Sequence, residues 1–328
     1  MSEMNEILAA TAGRIFGGSG GWDQIAEAGL HRLLMPEDLG GAGDAFEDAA
    51  TVAMQIGIHA ALTPLAETMV ANWCLAKAGL PVDDRPCALV LGDMIGGALK
   101  DGKFFCTQPF SLRQDTPRAV VVLAGDVAVM DQFPTAENSI SMDGVAHRRF
   151  APAPGGFALS ELASLPAKTL PPLYLLALLK SASMAGAMEA VLDLVVDYAN
   201  TRKQFGRAIG QFQAVQHMTA QISADVVAAA ACVQHAAKAL HGPHGPWAVA
   251  AAKGFTSEAG GTVASLAHQV HGAIGFAEEF VLQRYSKCLW TWRDDAGSEA
   301  VWYDRLGEVS LRGGGTGLWS AIVEGAPF

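Results

Sequence analysis

The sequence has little charge, and positive charge is the scarcer sign. Only 17% of its 328 residues are charged, and 22 lysines and arginines stand against 33 aspartates and glutamates, so the formal net charge is −11. Nucleic acids and anionic membranes bind proteins through basic faces that displace counterions. The composition therefore argues against both classes of partner.

Cysteine is also scarce. Its five copies are odd in number and scattered, and no two stand at the C-x-x-C spacing, so the sequence predicts neither a disulfide framework nor a zinc site. The pairs His241/His244 and His268/His271 lack a carboxylate or cysteine set at ligand spacing, so no metal is predicted there either. Free thiols are typical of a reducing compartment, and we expect a cytoplasmic protein.

No apolar run reaches the roughly 18 residues that a membrane span requires. The richest runs, Pro171 to Leu179 and Val226 to Val233, stop at Lys180 and Gln234. The segment Met1 to Ile15 lacks the basic start of a signal peptide. Because 51% of the residues are nevertheless hydrophobic, we expect part of the apolar surface to be buried between subunits.

Three composition zones follow one another along the chain. Residues from about 22 to 80 show helical periodicity, with Gly57 and Gly79 as expected helix stops. Residues from about 88 to 170 change to short runs rich in valine and phenylalanine, separated by the turn pairs Gly125-Asp126 and Asp143-Gly144, which predict β-hairpins. Residues 171–328 return to helical periodicity and end in a glycine-rich, flexible tail.

The third zone contains the longest helical pattern. Apolar residues recur at three- or four-residue steps from Phe212 to Leu240, which marks one stripe of a helix. A predicted helix over Leu173 to Asn200 precedes it and another long helix follows, so the zone indicates a helical bundle. We expect three members of the stripe to lie in a large interface between subunits: Val226, Val233 and Leu240.

Two segments combine unlike residue types at predicted helix ends. The first, Tyr198 to Gln213, places Arg202 and Phe205 at the junction of two long helices, where a guanidinium can clamp a phosphate while the ring stacks on a planar base. The second, His268 to Phe276, closes a helix with two glycines, which let the backbone approach a large ligand closely. Each segment can also be interpreted as an ordinary interhelical turn with a surface arginine.

Four ordered segments resemble the acyl-CoA dehydrogenase family of flavoproteins: Pro36–Gly43, Cys106–Pro109, Arg202–Gly206 with Gln213, and Gln269–Phe276. The resemblance implies a mainly α fold with a small β domain. Its parts would be an N-terminal helical domain at 1–100, a reduced middle β domain at 101–170 and a C-terminal four-helix bundle at 171–328. It also implies FAD at a subunit interface, an acyl-CoA substrate, a homo- or hetero-oligomer with another acyl-CoA dehydrogenase subunit, and an electron-transfer flavoprotein as electron acceptor.

The resemblance assigns cofactor contacts to particular positions. Arg202 and Phe205 match residues that reach the pyrophosphate and adenine side of an FAD held mainly by the neighbouring subunit, with Gln213 nearby. Further contacts to the adenosine pyrophosphate fall on Gln269, Gly272 and Ala273.

Flavin contacts are sparser. Ser298 stands where a flavin-contacting hydroxyl residue is common in the family. Thr107 belongs to what is left of a T-E-P-x-A-G-S stretch that contacts flavin and substrate. Because the middle zone is short, we expect incomplete flavin and acyl-CoA contacts from this subunit.

The family's catalytic glutamate has no counterpart. Counting from Phe276 to the family's E-G-T motif places Ala296 at the glutamate position, and Asp295 one residue upstream is the candidate base. The α-proton of a thioester is weakly acidic, so its base must be desolvated and held close to the substrate. Alternatively, Asp294 and Asp295 are solvated or pair with Arg293.

Two versions of the function follow. In one, Asp295 or a substitute base makes the chain a dehydrogenase of a CoA thioester within an oligomer. In the other, the chain is a catalytically degenerate subunit that completes the FAD site of a partner, as in the two-subunit family members that handle steroid-derived acyl-CoAs. A helical scaffold without flavin is a third reading, from a different class.

Overall fold

The computed structural model describes residues 3–18, 21–308 and 310–311. Helices occupy both ends of the chain and strands the middle. The N-terminal helices are α1 (Glu3–Gly17), α2 (Trp22–Glu27), α3 (Phe46–Ile58) and α4 (Leu65–Lys77). The strands that follow are β1 (Cys87–Leu91), β2 (Ala98–Lys100), β3 (Lys103–Phe105), β4 (Phe110–Arg113), β5 (Arg118–Leu123), β6 (Asp126–Met130), β7 (Glu137–Ile140), β8 (Ala146–Phe150), β9 (Phe157–Ala158) and β10 (Glu161–Ser164).

The C-terminal half consists of long helices. They are α5 (Pro172–Thr201), α6 (Gln213–Ala239), α7 (Gly245–His271) and α8 (Leu282–Asp294), with the two-residue strands β11 (Lys203–Gln204) and β12 (Arg207–Ala208) between α5 and α6. The expected mainly α fold with a small β domain is confirmed. The expected tail falls mostly on residues 312–328, which lie outside the described residues.

The chain forms two compact units. The β unit contains α2, α4 and the strands β1 to β10, and the bundle unit contains α1, α3, α5 from Ala177 onward, and α6 to α8. The bundle unit is therefore discontinuous in sequence, because α3 belongs to it although the β unit supplies residues on both sides of α3. Strands begin at Cys87, upstream of the boundary expected at residue 101.

The β unit holds three small sheets. One has the order β1-β5-β6-β10, with β1 parallel to β5, and the others have the orders β2-β3-β9 and β4-β8-β7. Both hairpins that the turn pairs predict, β5–β6 and β7–β8, are present as antiparallel pairs. Four buried phenylalanines fill the core between the sheets, with ring centroids 5.2–6.2 Å apart: Phe104, Phe110, Phe150 and Phe157.

Helix α5 is the core helix of the bundle. Among the described residues it is the one helix long and apolar enough to cross a membrane, and 83% of its most apolar 18-residue window is buried inside the protein. The helix continues past the end of the apolar run at Lys180, which is itself buried, and reaches Thr201, close to the end expected at Asn200. Burial in the bundle thus accounts for the high hydrophobic content of this segment.

Glycines allow α3 and α5 to touch backbone to backbone. A Cβ atom at Gly57 would lie 1.9 Å from the Ser183 carbonyl oxygen, and one at Gly186 would lie 2.0 Å from the Met54 carbonyl oxygen. Gly57 is therefore a packing glycine inside α3 and not the helix stop that its sequence context suggests. Gly79 follows α4 with φ +69° and does serve as such a stop.

The apolar stripe of α6 lies inside the chain. Val226, Val233 and Leu240 are all buried, because α6 packs against α7 and α3. The expectation that these three residues form an interface between subunits is therefore wrong. Periodicity shows that one face of a helix is apolar, but it does not show whether the same chain or another one covers that face.

Candidate functional site

A short hairpin follows α5 and presents an aromatic ring to solvent. We call Arg202–Ala208 the arginine hairpin; its strands β11 and β12 are joined by Phe205 and Gly206, both with positive φ, +52° and +82°. Positive φ at both positions is typical of a tight type I′ turn. The Phe205 ring is directed outward, so that the residue is 91% exposed. Arg202 is exposed as well and makes no ion pair within the described part of the chain.

A glycine turn closes α7. We call Gly272–Phe276 the glycine turn; it starts with φ 64° and ψ −143° at Gly272, a combination that only glycine adopts readily. A Cβ atom at Gly272 would meet nothing within 4 Å, so the backbone here is open to approach from outside the chain. Gln269, Gly272 and Ala273 are exposed, and so is Phe276.

The arginine hairpin and the glycine turn lie side by side. Tyr198 sits one helical turn before Arg202, and its ring stacks on the ring of His271, with centroids 4.5 Å apart and an interplanar angle of 25°. His271 directly precedes Gly272. The stack thus brings together the two segments that the sequence singles out separately.

The remaining predicted cofactor residues are distributed more widely. Gln213 is the exposed first residue of α6, next to Phe212, whose ring carries the Arg207 guanidinium at 4.1 Å. Ser298 is half-buried in the loop after α8. Thr107 belongs to the β unit, where it is exposed and its backbone N–H donates to the Ile95 carbonyl.

The candidate base lies in the segment Asp294–Ser298, which we call the α8 turn. The Asp295 carboxylate Oδ2 is 2.7 Å from Lys180 Nζ, and the Lys180 side chain is only 8% exposed. Asp294 instead accepts a hydrogen bond from Arg293 Nε at 3.2 Å. The alternative of pairing with Arg293 therefore describes Asp294, while the partner of Asp295 is a lysine on α5.

A second buried lysine, which the sequence analysis missed, holds the end of α8. Lys253 of α7 is fully buried, and its Nζ donates to the carbonyl oxygens of Trp292 and Arg293, at 3.2 and 2.7 Å, and to Ser257 Oγ at 2.9 Å. The ammonium group thus occupies the position of a helix C-terminal cap. The available signal was a lysine within an alanine-rich, otherwise apolar stretch, since such a residue needs buried partners.

Burial dominates the electrostatics of Lys253. Loss of solvation lowers its pKa to about 8, against the attraction of Asp295, while the nearby charge of Lys180 acts in the same direction as burial. The pair of lysines therefore sets a positive environment beneath the α8 turn. Asp295 interacts with both lysines: it pairs with Lys180, and it is the carboxylate with the largest effect on the pKa of Lys253.

The α8 turn is held in an unusual backbone conformation. Ala296 has φ +59° and Gly297 has φ +98°, and the Ala296 carbonyl accepts a hydrogen bond from the buried Trp302 indole at 3.1 Å. A left-handed alanine costs about 1 kcal/mol and persists where several contacts determine it. Lys180 and Lys253 add to those contacts.

Metal chemistry finds no support in this arrangement. Within residues 3–18, 21–308 and 310–311, no group of three or more histidine, cysteine, aspartate or glutamate side chains is placed to hold a metal ion. The pair His268 and His271 is instead engaged in ring stacking and hydrogen bonds.

Comparison with known proteins identifies the family. Residues 173–303 match the model of the family "Acyl-CoA dehydrogenase, C-terminal domain". The acyl-CoA dehydrogenase IpdE2 of Mycobacterium tuberculosis is 31% identical over 274 residues, which cover 81% of this chain and 79% of that protein. The chain belongs to the acyl-CoA dehydrogenase family.

Solved structures show the acyl-CoA dehydrogenase fold over nearly the full length. The Tcur3481-Tcur3483 steroid ACAD matches with a TM-score of 0.82 at 22% identity, over 95% of this chain and 98% of that one. The ChsE4-ChsE5 complex from Mycobacterium tuberculosis matches with a TM-score of 0.80 at 20% identity, over 94% and 97%. The resemblance drawn from the sequence motifs is thus confirmed at the level of family and fold.

Proposed function

We propose that this chain is a subunit of an FAD-dependent acyl-CoA dehydrogenase that carries out α,β-dehydrogenation of a CoA thioester. The observation that carries the proposal is the exposure of Arg202 and Phe205 in a hairpin whose preceding helix is joined, through the Tyr198–His271 stack, to the end of α7 and the open backbone of Gly272. An aromatic ring as exposed as that of Phe205 is not part of the chain's own core, and an exposed ring and an exposed guanidinium in one short hairpin suit a planar base joined to phosphate.

The residues present fit FAD. Arg202 would bind the pyrophosphate and Phe205 the adenine side, while Gln269, Gly272 and Ala273 would contact the adenosine pyrophosphate from the glycine turn. Gln213 and Ser298 complete the proposed set of the bundle unit, and Thr107 is a separate proposed flavin contact of the β unit. Bound FAD would supply the acceptor for the hydride that leaves the β-carbon.

Oligomerisation belongs to the proposal. Arg202 and Phe205 are exposed on the surface of this chain, which supports a role in contacting a cofactor held mainly by another subunit. That subunit would be a second copy of this chain or another acyl-CoA dehydrogenase chain. The similar structures, the Tcur3481-Tcur3483 steroid ACAD and the ChsE4-ChsE5 complex, support the two-chain form.

Asp295 is the proposed base of this chain. It is the carboxylate of the α8 turn with a buried partner, and its side chain is 38% exposed, so it faces both the interior and the outside of the bundle unit. To accept the α-proton it must exchange its contact with Lys180 for one with the substrate. A modest rotation of a short side chain would accomplish this exchange.

A second candidate is favoured by the same ion pair. A carboxylate already engaged by a buried ammonium group, next to an alanine at the family's glutamate position, suits a subunit whose own pocket is not catalytic. Such a subunit would complete the FAD site of a partner that carries the glutamate. An electron-transfer flavoprotein would reoxidise the flavin in either case.

The setting we propose is a reducing, cytoplasmic one. All five cysteines are free thiols, and four of them are buried. This arrangement supports a compartment in which thiols are kept reduced.

The test is to purify the chain alone and coexpressed with its genomic neighbour, and to record the visible spectrum and α-proton exchange of acyl-CoA substrates. Flavin in the chain alone, with exchange, supports the dehydrogenase. Flavin only with the neighbour supports the subunit that completes a partner's site. A colourless protein in both preparations would contradict the proposal and leave the helical scaffold.

A further inference from the structure

Two buried histidines lie beneath the glycine turn. His268 and His271 are both in the last turn of α7 and both less than a tenth exposed. His268 contacts the turn directly: its ring stacks on Phe276, with centroids 4.3 Å apart and planes 22° apart. His271 contacts α5 through its stack on Tyr198, one turn from Arg202. The two rings therefore support both halves of the proposed cofactor surface.

We assign the proton of neutral His268 to Nε2 from the hydrogen bonds of Ser286. The Ser286 hydroxyl donates to the Leu282 carbonyl at 3.2 Å, so its oxygen accepts from His268 Nε2 at 2.8 Å. His268 Nδ1 is then the unprotonated nitrogen. It is buried and has no hydrogen-bond partner among residues 3–18, 21–308 and 310–311, and a Cβ atom at Gly275 would lie 3.0 Å from it.

A second proton on His268 would be poorly accommodated. It would sit on Nδ1, facing the backbone of Gly275, within a stack whose other members are Phe276 and Trp290. A buried charge without an acceptor is costly, and the local way to relieve that cost is to open the turn to water.

The charged and polar groups around the two rings do not offset this cost. Burial lowers the pKa of His268, and a charge on His271 would lower it further. Burial also lowers the pKa of His271, against the carbonyl oxygens of Ala267 and Leu194, which favour its charged form. No carboxylate in the described ranges contributes to either ring's environment.

We propose that His268 is a positioning residue for the glycine turn, which supports the turn only while the imidazole is neutral, so that acidification releases the turn and with it the cofactor. The inference rests on the proposed function, in that the turn contacts FAD. It extends that function to a pH-dependent retention of the cofactor, controlled by a side chain that does not touch it.

The experiment measures FAD dissociation constants of the flavin-binding form, alone or in its complex, between pH 7.5 and pH 5.5. One proton taken up on release changes affinity by up to about tenfold per pH unit below the ordinary histidine pKa of about 6.5, so we expect a loss of up to about tenfold in the parent over this range. His268→Phe keeps a planar ring on Phe276 without a titrating nitrogen, and should change by less than about twofold more than any general effect of pH. His235→Gln, at an exposed histidine of α6, is the matched control and should follow the parent.

A second measurement does not depend on flavin. Hydrogen exchange of the peptide that spans residues 269–282 is compared between the apo parent and the apo His268→Phe variant at each pH, because intrinsic exchange rates are then nearly the same in both. We expect similar protection at pH 7.5 and at least about threefold faster exchange in the parent at pH 5.5, as local opening sets the exchange rate. His268→Gln, which keeps a donor to Ser286, replaces the Phe variant if that variant does not fold.

The outcomes separate the inference from the function on which it rests. Protein that binds no FAD at pH 7.5 refutes the proposed function, and the inference about cofactor retention falls with it. Protein that binds FAD, but whose pH dependence and turn exchange are equal in the parent and in His268→Phe, refutes the inference alone.

Discussion

Two regions of the bundle unit, both marked by family motifs, are built in opposite ways. At the arginine hairpin and the glycine turn, Arg202 and Phe205 are exposed and the Gly272 backbone is open. At the α8 turn, Asp295 is paired with Lys180, and the last carbonyls of α8 are capped by Lys253. The first region has binding capacity left for a molecule outside the chain. The second is satisfied by the chain itself, so any chemistry there must first displace an internal contact.

The strongest test of this contrast is removal of the candidate base. If Asp295 leaves Lys180 to accept the α-proton, Asp295→Asn should lower α-proton exchange by about 10²–10⁴-fold while FAD affinity stays unchanged, because only the proton acceptor is lost. Exchange is measured by deuterium incorporation into a bound acyl-CoA. Asp294→Asn is the matched control, since Asp294 pairs with Arg293 at the surface. A silent Asp295→Asn in an active assembly would assign the base to the partner chain.

The inverse change sharpens the same point. Ala296→Glu restores the family's glutamate, and in a protein without measurable dehydrogenation a gain of exchange would show that the pocket is intact and lacks only its base. Exchange and product formation are followed with the same acyl-CoA. Continued inactivity of a variant that still binds flavin would place the chain in the role of a subunit that supports a catalytic partner.

The next largest effect concerns Lys253, the buried lysine that caps α8. Because the pKa of Lys253 is about 8 in the folded protein and 10.5 ordinarily, the unfolded chain binds more protons between these values, and the parent gains stability as pH rises through this window. Lys253→Met lacks this gain. Relative to Lys253→Met, we expect the unfolding free energy of the parent to rise by about 2 kcal/mol between pH 8 and pH 10.

Urea titrations at several pH values measure this difference. The comparison with a variant removes the contribution of the buried thiols, which is common to both proteins. Lys287→Met, at an exposed lysine of α8, is the control and should show no such trend. A constant difference between the parent and Lys253→Met would mean that the amine stays charged throughout the window.

Changes in the arginine hairpin should lower the affinity for FAD and leave the stability of the fold unchanged. Arg202→Ala removes a charge-assisted contact to phosphate, and we expect FAD to bind about 10- to 100-fold more weakly with helicity and melting temperature unchanged. Equilibrium titration monitored by flavin fluorescence measures the affinity. Lys238→Ala, an exposed cation near the end of α6, should bind FAD as the parent does. Equal affinity of Arg202→Ala and the parent would contradict the assignment.

The smallest effect comes from the backbone of the glycine turn. Gly272→Ala places a Cβ atom in open space but at φ 64° and ψ −143°, so its cost of about 1–3 kcal/mol is purely conformational. We expect a loss of FAD affinity together with a fall of about 1–3 kcal/mol in the free energy of unfolding. Gly261→Ala, also in open space but inside α7, should stabilise the protein by about 0.5–1 kcal/mol. If both variants behave alike, the turn has no special conformation.

The exposed region was more predictable from the sequence than the internal one. Local patterns contain the helix ends, the hairpin and the glycines, and the motif residues Arg202 and Gly272 lie where those patterns predict. The ion pair of Lys180 with Asp295 joins residues far apart in sequence, and only the packing of α5 against the α8 turn creates it. For the same reason the stripe that contains Val233 predicts an apolar helix face, but it does not predict that other helices of the same chain cover that face. The context of Gly57 predicts a helix stop, whereas the close approach of α5 is what requires a glycine there.

The glycine crossing of α3 and α5 has a consequence for how the protein is made. The bundle unit collects α1 and α3 from the beginning of the chain and α5 to α8 from its end, with much of the β unit synthesised between them. During synthesis on the ribosome, α3 is therefore made before α5, and its face around Gly57 stays uncovered until Gly186 has been synthesised. By that time all the phenylalanines of the β-unit core have been synthesised. Fragments that end before α5 should accordingly fold the β unit first and depend on chaperones to shield the early helices.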